Sequence, residues 1–398
     1  MTNFDERVRD LVAHAYDHAP AIKQWLDDAG VSASDIQSTA DLRKIPVLSK
    51  DQLVQIHQEN PPFGGFLTID PDDLPRIYVS PGPIFDPQPP EDDPESALAP
   101  FKYVGFQRGD RVLNTFTYHL TPAGMLLDDA LQACGATVLP TGPGNTDLQI
   151  QLAIALGASG FVGQPSYLMT ILDKVEGQGM GPDQFPIKKA LFSAEPYTPS
   201  QRKRFEDEWG MTTTSAYGTA DLGFVGYTRA GLDGFVITNN IFMQIVDPET
   251  GEDVPAGEIG EVVVTTFNKS YPLVRFGTGD LGAVAPELVD GAYQHLLGLY
   301  GRSGDAIKVR GMFLHPNQLK AAVAQFPQIE RLQAIITRPQ NKDVVTLKVQ
   351  LKEGQASDGI ADKLKQLAQQ AVRLRIDDVQ FTAIDKSGRT IVDERSWD

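Results

Sequence analysis

The sequence predicts an α/β protein. Its large N-terminal domain has a covered, mostly parallel sheet and a β-rich subdomain, and its small C-terminal domain is α+β. Three observations indicate this architecture. From Arg111 onward, strand-like segments alternate with helix-like ones. Beyond Gly226, short strand-like runs follow one another, and after Gly301 both kinds of segment return. We place the large domain at residues 1–300 and the small one at 301–398.

The N-terminal segment predicts three helices. Apolar residues recur at helical spacing over 4–15 and again over 22–29, and Gly30 suits a left-handed helix end. Ser49 precedes a third, shorter segment and is a residue type that caps helices.

The alternating segment predicts parallel strands joined by helices, because short loops between such elements give right-handed crossovers. In these sheets, ligands bind beyond the carboxyl ends of the strands. The candidate ligand-binding loops therefore follow Tyr118, Pro140, Gln164, Glu195 and Tyr217.

The remaining chain predicts the β-rich subdomain and the small domain. In the former, turn sequences at 247–253 and 255–258 separate β-type runs. In the latter, we predict helices at 315–326 and 358–376 and strands at 332–338, 344–351 and 379–384.

Composition and charge exclude several classes of protein. The 398 residues are 41% hydrophobic and carry a formal net charge of −17, which repels nucleic acid and anionic lipid surfaces. The single cysteine, Cys134, allows neither an internal disulfide nor a cysteine-based zinc site. The acidic N-terminus is unlike a signal or transit peptide, and no apolar run is long enough to span a membrane. We expect a cytoplasmic protein that binds neither nucleic acid nor membrane.

Three stretches combine residue types that carry chemistry. They are SAYGTAD at 215–221, YPLVRFGTGDL at 271–281 and GRSGDAIKVRG at 301–311. Taken singly, Tyr217 is compatible with strand-end packing and Asp280 with a turn. Their order and spacing favour a nucleotide site.

In that order, the three stretches resemble the adenylate-forming ligases, most closely the phenylacetate-CoA ligase branch. The likeness extends to DLRKIPVLSKDQL at 41–53, QPSY at 164–167 and SAEP at 193–196. These ligases activate a carboxylic acid with ATP as an acyl-adenylate. They then pass the acyl group to coenzyme A while a small mobile domain rotates. The resemblance thus implies ATP and AMP, Mg²⁺ and coenzyme A as cofactors, a carboxylic acid as substrate and a possible homodimer.

The resemblance also implies roles for individual residues around the nucleotide. Tyr217 would stack on the adenine, Thr219 would donate to the α-phosphate, and Asp280 would accept the ribose hydroxyls. Arg302 would lie at the ribose and phosphate edge. The other adenylate contacts implied by the likeness are Ala194, Glu195, Pro196, Ser215, Ala216 and Gly218.

Further roles concern the metal, the thioester step and the acid. Asp221 stands where the family has a metal-binding glutamate. Lys308 and Arg310 would serve transfer to coenzyme A. The acid pocket, expected to favour an aromatic or short acid, would be lined by Phe116, Tyr118, His119 and Pro122. A lone histidine such as His119 is equally compatible with a core position.

The stretch that matches the family's phosphate-binding loop departs from its pattern. Residues 79–93 keep only Ser80 and Gly82, and they carry five prolines and four acids. Each proline removes an N–H donor, and each carboxylate repels phosphate. We therefore expect this stretch to cradle a β,γ-phosphate poorly.

The second departure is near the C-terminus. Arg389 stands where the family has its adenylation lysine, and Lys386 lies close by in sequence. Either would serve as the catalytic cation, although an arginine fork does not replace an ammonium without consequence. A plain hairpin turn is the alternative reading.

Two functional classes therefore stay open at this stage. One is an AMP-forming acid–CoA ligase that acts on an aryl or short carboxylic acid. The other is a catalytically impaired homologue that binds AMP, an acyl-adenylate or an aryl acid as a sensor or partner subunit.

Overall fold

The chain divides into two compact units. One comprises Met1–Ser193 with Arg202–Ser303, and the other Ala194–Gln201 with Gly304–Asp398. The computed structural model describes residues 3–80, 84–89, 93–303, 307–310, 312–314, 316, 319, 323, 325–355, 359–372, 374–385 and 389–396. Within these residues, no helix combines the length and the apolar character needed to cross a membrane.

The helices of the larger unit lie in its N-terminal segment and, farther along the chain, between the strands. They are α1 (Phe4–His18), α2 (Pro20–Asp28), α3 (Lys50–Glu59), α4 (Pro94–Ala97), α5 (Ala99–Val104), α6 (Pro122–Ala133), α7 (Thr146–Leu156) and α8 (Pro165–Gly177). The predicted cap of α3 is confirmed, because the Ser49 hydroxyl accepts from the backbone N–H of Gln52 at 3.2 Å.

The helix that begins at Pro199 changes form along its length. A single turn, α9 (Pro199–Arg202), runs into a π-helical segment at Lys203–Glu208. The backbone N–H of Trp209 accordingly bonds to the Arg204 carbonyl, five residues back, at 3.0 Å.

Sixteen described strands belong to the larger unit. They are β1 (Leu48–Ser49), β2 (Arg76–Ser80), β3 (Ile84–Gln88), β4 (Arg111–Asn114), β5 (Thr137–Leu139), β6 (Gly160–Gly163), β7 (Lys189–Phe192), β8 (Thr212–Thr219), β9 (Gly223–Arg229), β10 (Leu232–Ile237), β11 (Ile241–Val246), β12 (Gly260–Thr266), β13 (Phe276–Val284), β14 (Leu288–Val289), β15 (Ala292–Tyr293) and β16 (His295–Arg302). The pairs β2–β3 and β14–β15 stand apart as two-stranded sheets.

The other strands form one sheet of twelve, ordered β11-β12-β13-β16-β10-β9-β8-β7-β6-β4-β5, with β1 paired to β13. Strands β5, β4, β6, β7 and β8 are parallel, as predicted. The β-rich part continues the same sheet rather than forming a separate one. Its switch strand is β8, which pairs parallel with β7 over Thr212–Ser215 and antiparallel with β9 from Ala216. The first motif therefore lies where the sheet changes direction.

The smaller unit has the predicted α+β character. Its strands are β17 (Ile307–Val309), β18 (Met312–Leu314), β19 (Ile329–Thr337), β20 (Val344–Leu351), β21 (Asp378–Phe381) and β22 (Ile391–Asp393), and it also contains α10 (Ile360–Val372). Four of the strands form a sheet in the order β21-β20-β19-β22. Much of the helix predicted at 315–326 lies outside the described residues.

Candidate functional site

The structure brings together three residues that the sequence placed in a nucleotide site. The Tyr217 hydroxyl donates to Asp280 Oδ2 at 2.8 Å, and Arg302 Nη1 donates to Asp280 Oδ1 at 2.8 Å. Asp280 and Arg302 face each other on β13 and β16. Three motifs far apart in sequence thus meet on one carboxylate.

Burial fixes the donor role of the tyrosine. It raises the pKa of the Tyr217 hydroxyl well above its ordinary value, and the Asp280 carboxylate adds to that effect. The phenol therefore stays protonated at neutral pH and keeps its hydrogen for Asp280.

A glycine is required beside this cluster. Gly279 has a φ of +71°, and a Cβ built on it would lie 2.9 Å from Arg302 Nη2. Its backbone N–H donates to Glu261 Oε1 at 2.9 Å. Burial raises the pKa of the Glu261 carboxyl, which the sequence analysis did not single out.

The end of β8 presents the first motif. The Thr219 hydroxyl oxygen accepts from the Leu222 backbone N–H at 3.2 Å, which leaves its own hydrogen to donate elsewhere. A Cβ on Gly218 would lie 2.4 Å from the Gly223 carbonyl oxygen, so the β8–β9 turn needs glycine there.

The two other predicted contacts on β8 are held by hydroxyls. The Ser215 backbone N–H donates to Thr228 Oγ1 at 2.9 Å, and the Ala216 carbonyl accepts from the Ser193 hydroxyl at 2.9 Å. Both β8 residues are buried.

The predicted adenine contacts at 194–196 fall in the smaller unit. Ala194 adopts a φ of +77°, a conformation that a residue with a side chain rarely takes. Within the same unit, Glu195 Oε2 accepts from Arg338 Nη2 at 3.3 Å, and Arg338 also donates to Asp343 at 2.9 Å. Both side chains of the Glu195–Arg338 pair are almost fully buried. Pro196 completes this stretch.

Asp221, the predicted metal ligand, contacts a cation of the protein. Lys50 Nζ donates to Asp221 Oδ1, and the Asp221 side chain is only 8% exposed. Among the residues that the structure describes, no group of three His, Cys, Asp or Glu side chains is arranged to hold a metal ion. Mg²⁺ is usually held by one or two carboxylates together with phosphate oxygens and waters, so the metal role of Asp221 stays a prediction.

A buried histidine and tyrosine adjoin this ion pair. His57 Nε2 and Tyr271 Oη share a hydrogen bond of 2.9 Å. Burial, helped by the nearby Lys50 charge, lowers the pKa of His57 to about 4. Burial, together with the Asp221 and Asp86 carboxylates, raises the pKa of Tyr271. Both rings are therefore uncharged at neutral pH.

The stretch that differs from the family's phosphate-binding loop includes the β2–β3 hairpin. Ser80 ends β2 in register with Ile84, and Gly82 lies outside the described residues. Asp86, one of the acids of this stretch, is buried. Among the described strands, the two pair with each other only, and the Val79 N–H donates to the Leu120 carbonyl at 2.8 Å. The expectation that this stretch binds a β,γ-phosphate poorly stays a prediction.

The predicted acid-pocket residues follow β4. The Tyr118 hydroxyl donates to Asp128 at 2.7 Å. Burial raises the pKa of Tyr118, and the hydrogen bond to Asp128 raises it further. Phe116 is half-buried, Pro122 is buried at the start of α6, and His119 is exposed. The hydroxyl of Tyr118 is thus engaged within the protein, while the role of these rings in binding an acid stays a prediction.

The predicted cations of the smaller unit differ in their surroundings. The Arg310 guanidinium donates to the Asp343 carbonyl at 3.1 Å, to the Arg375 carbonyl at 2.9 Å and to Asp377. Lys308 lies in β17, and only its backbone is described.

Arg389 precedes β22, and its side chain is exposed. Its carbonyl accepts from Gln333 Nε2 at 2.8 Å. Lys386 lies outside the described residues. The structure therefore leaves the assignment of an adenylation cation as a prediction.

Two residues that the sequence analysis gave no role prove structurally central. Lys50, in the SKDQL stretch, reaches Asp221 across 171 positions of sequence. Arg275, inside the second motif, is 1% exposed and donates to the carbonyls of Ile45 at 2.6 Å and Gly251 at 2.7 Å. Their presence in motif-bearing stretches was a signal, but their partners could not be read from the sequence.

Comparison with known proteins gives consistent relatives in sequence. The phenylacetate-coenzyme A ligase of Aromatoleum evansii is 30% identical over 359 residues, which cover 87% of this chain and 80% of that protein. The enzyme of the same name from Thermus thermophilus is 29% identical over 364 residues, covering 88% and 81%. A scan against family models finds no match.

Solved structures show the same fold. A 2-hydroxyisobutyryl-CoA ligase, in complex with 2-HIB-AMP and CoA in the thioesterification state, has a TM-score of 0.88 at 22% identity. That match covers 98% of this chain and 89% of the other. The amide bond synthetase McbA from Marinactinospora thermotolerans has a TM-score of 0.57 at 14% identity, covering 79% and 66%.

Proposed function

The chain belongs to the phenylacetate-CoA ligase family of adenylate-forming enzymes, and on that premise we propose that it joins an aryl or short carboxylic acid to coenzyme A. It is an AMP-forming acid–thiol ligase that uses ATP with Mg²⁺ and coenzyme A. The named relatives favour this class over a catalytically impaired binding protein. The observation that carries the proposal is the meeting of Tyr217, Asp280 and Arg302 at the switch strand.

The proposed reaction has two steps. A carboxylate oxygen of the acid attacks the α-phosphorus of ATP, and pyrophosphate leaves. The thiol of coenzyme A then attacks the acyl carbon, loses its proton, and AMP leaves. The first step replaces a poor leaving group by a good one, which is why the thioester can form.

The residues would divide this work as follows. Asp280 would accept the ribose hydroxyls. Each of its oxygens accepts from one protein donor, Tyr217 or Arg302, and a carboxylate oxygen can accept a second hydrogen bond. Thr219 would donate its free hydroxyl hydrogen to the α-phosphate. Tyr217 would lie against the adenine, with Ser215, Ala216 and Gly218 shaping the backbone beneath it.

Other predicted roles belong to the same proposal. The stretch 194–196 would border the adenine, and residues 301–398 would form the mobile domain with Lys308 and Arg310 serving the thioester step. Arg389 or Lys386 would supply the adenylation cation. The rings of Phe116, Tyr118, His119 and Pro122 would line the acid pocket.

A direct assay tests the function. With ATP, Mg²⁺, coenzyme A and a panel of aryl and short acids, we expect AMP and pyrophosphate to form only when an accepted acid is present. An acid that gives adenylate should also give a thioester. Absence of AMP with every acid, combined with AMP binding in calorimetry, would instead support the impaired homologue.

We also propose a homodimer, built on α7 and the sheet edge. Strand β5 ends the sheet order, and α7 beside it carries one charged residue, Asp147, among eleven. Its side chains Leu148, Ile154 and Leu156 are 45%, 44% and 41% exposed. A helix with so little charge lets two copies of a strongly acidic chain approach without strong repulsion.

The dimer has its own test. Leu148→Glu should raise the dimer dissociation constant at least about tenfold in sedimentation equilibrium, because a carboxylate would be buried at the interface. A change of the exposed Leu288→Glu, in the β14–β15 hairpin, serves as the matched control. A monomeric wild-type chain at micromolar concentration would contradict the proposal.

A further inference from the structure

The Lys50–Asp221 pair lies on rigid elements at the end of β8. Ser49 pairs with Gly277 of β13 and also caps α3, whose first residue is Lys50. Asp221 stands two residues beyond Thr219, the residue assigned to the α-phosphate. A strand and a helix cap therefore hold the lysine near the residue that we assign to the α-phosphate.

The pair turns its positive end outward. The Lys50 side chain is 30% exposed, whereas that of Asp221 is 8% exposed. An ammonium has three N–H donors, and among the described residues Lys50 uses one of them on Asp221. Two donors and a partly accessible charge thus remain for a ligand.

A positive charge at this place would offset the acids of the chain. The stretch 79–93 has lost its lysine and carries four acids, and the whole chain has a formal net charge of −17. A phosphate brought to the end of β8 would meet unfavourable potential unless a nearby positive charge offsets it.

We propose that Lys50 contacts the α-phosphate of the nucleotide and that Asp221 positions its ammonium. This inference rests on the proposed function, since it concerns the same nucleotide site. It assigns Asp221 to the orientation of a lysine, in keeping with the ion pair seen in the structure.

Calorimetry with AMP and with adenosine tests the proposal, because only AMP carries the phosphate. In EDTA, Lys50→Met should weaken AMP binding about tenfold and leave adenosine affinity within twofold of wild type. Lys50→Arg should recover part of the AMP affinity. Lys44→Met, which removes another lysine paired with an aspartate, Asp41, should change neither.

A second variant keeps the test decisive if Lys50→Met folds poorly. Asp221→Asn should weaken AMP binding in EDTA about threefold and leave adenosine affinity within twofold of wild type, because the lysine remains but its ammonium is no longer held in place. The proposal is overturned if AMP binding requires Mg²⁺ and is lost in Asp221→Asn, or if Lys50→Met affects AMP and adenosine equally. A wild-type protein that binds neither ligand and makes no AMP would instead remove the proposed function itself.

Discussion

Asp280→Ala is expected to weaken the binding of AMP and of adenosine by more than tenfold. The variant removes the acceptor that we assign to the ribose hydroxyls, and hydrogen bonds to a charged group contribute about 1.5–3 kcal/mol each. It also strips Tyr217 and Arg302 of the carboxylate on which both converge. We expect kcat/KM for ATP to fall by about a hundredfold, measured as acid-dependent AMP formation.

The ligand itself provides a control for this variant. If Asp280 binds the ribose, wild-type protein should bind 2′,3′-dideoxyadenosine weakly, and Asp280→Ala should add little further loss. Asp290→Ala, in the exposed turn between β14 and β15, should leave every affinity unchanged. Equal losses for adenosine and its dideoxy analogue would show that the residue supports the fold of the site rather than the ribose.

Local sequence signals predicted much of the architecture. The parallel strands follow from apolar runs bounded by short loops, and the start of α3 follows from the hydrogen-bonding capacity of Ser49. The single sheet was not predictable in this way. Strand β8 has two partners of opposite direction, and pairing of that kind depends on backbone register and not on composition.

The candidate site likewise has residues that the sequence indicated and a contact that it did not. The order and spacing of the motifs pointed to a nucleotide site, and the family resemblance gave Tyr217, Asp280 and Arg302 their roles in it. The partner of Asp221 was missed, since Lys50 lies in a helix-capping stretch with an ordinary local explanation. Contacts over such sequence separations come from tertiary packing.

Arg275 is the clearest case of a motif residue with a structural role. Its guanidinium is buried and joins the N-terminal segment, through the Ile45 and Arg43 carbonyls, to the turn at Gly251. Burial lowers the pKa of Arg275, which shows that its charge is held at a cost. The hydrogen bonds to three carbonyls must outweigh that cost in the folded protein.

Arg275→Met should therefore lower the free energy of unfolding by about 3 to 5 kcal/mol. Methionine fills much of the volume but leaves the buried carbonyls without donors, and each unsatisfied group costs about 1–3 kcal/mol. Arg275→Lys should have a free energy of unfolding between those of wild type and Arg275→Met, because a single ammonium cannot reach the opposed carbonyls as a planar guanidinium does. Urea unfolding followed by tryptophan fluorescence measures the change, with Arg108→Met, an exposed arginine, as the control within about 0.5 kcal/mol. If Arg275→Met unfolds at the same urea concentration as wild type, these carbonyls find other donors and the second motif owes its arginine to something other than stability.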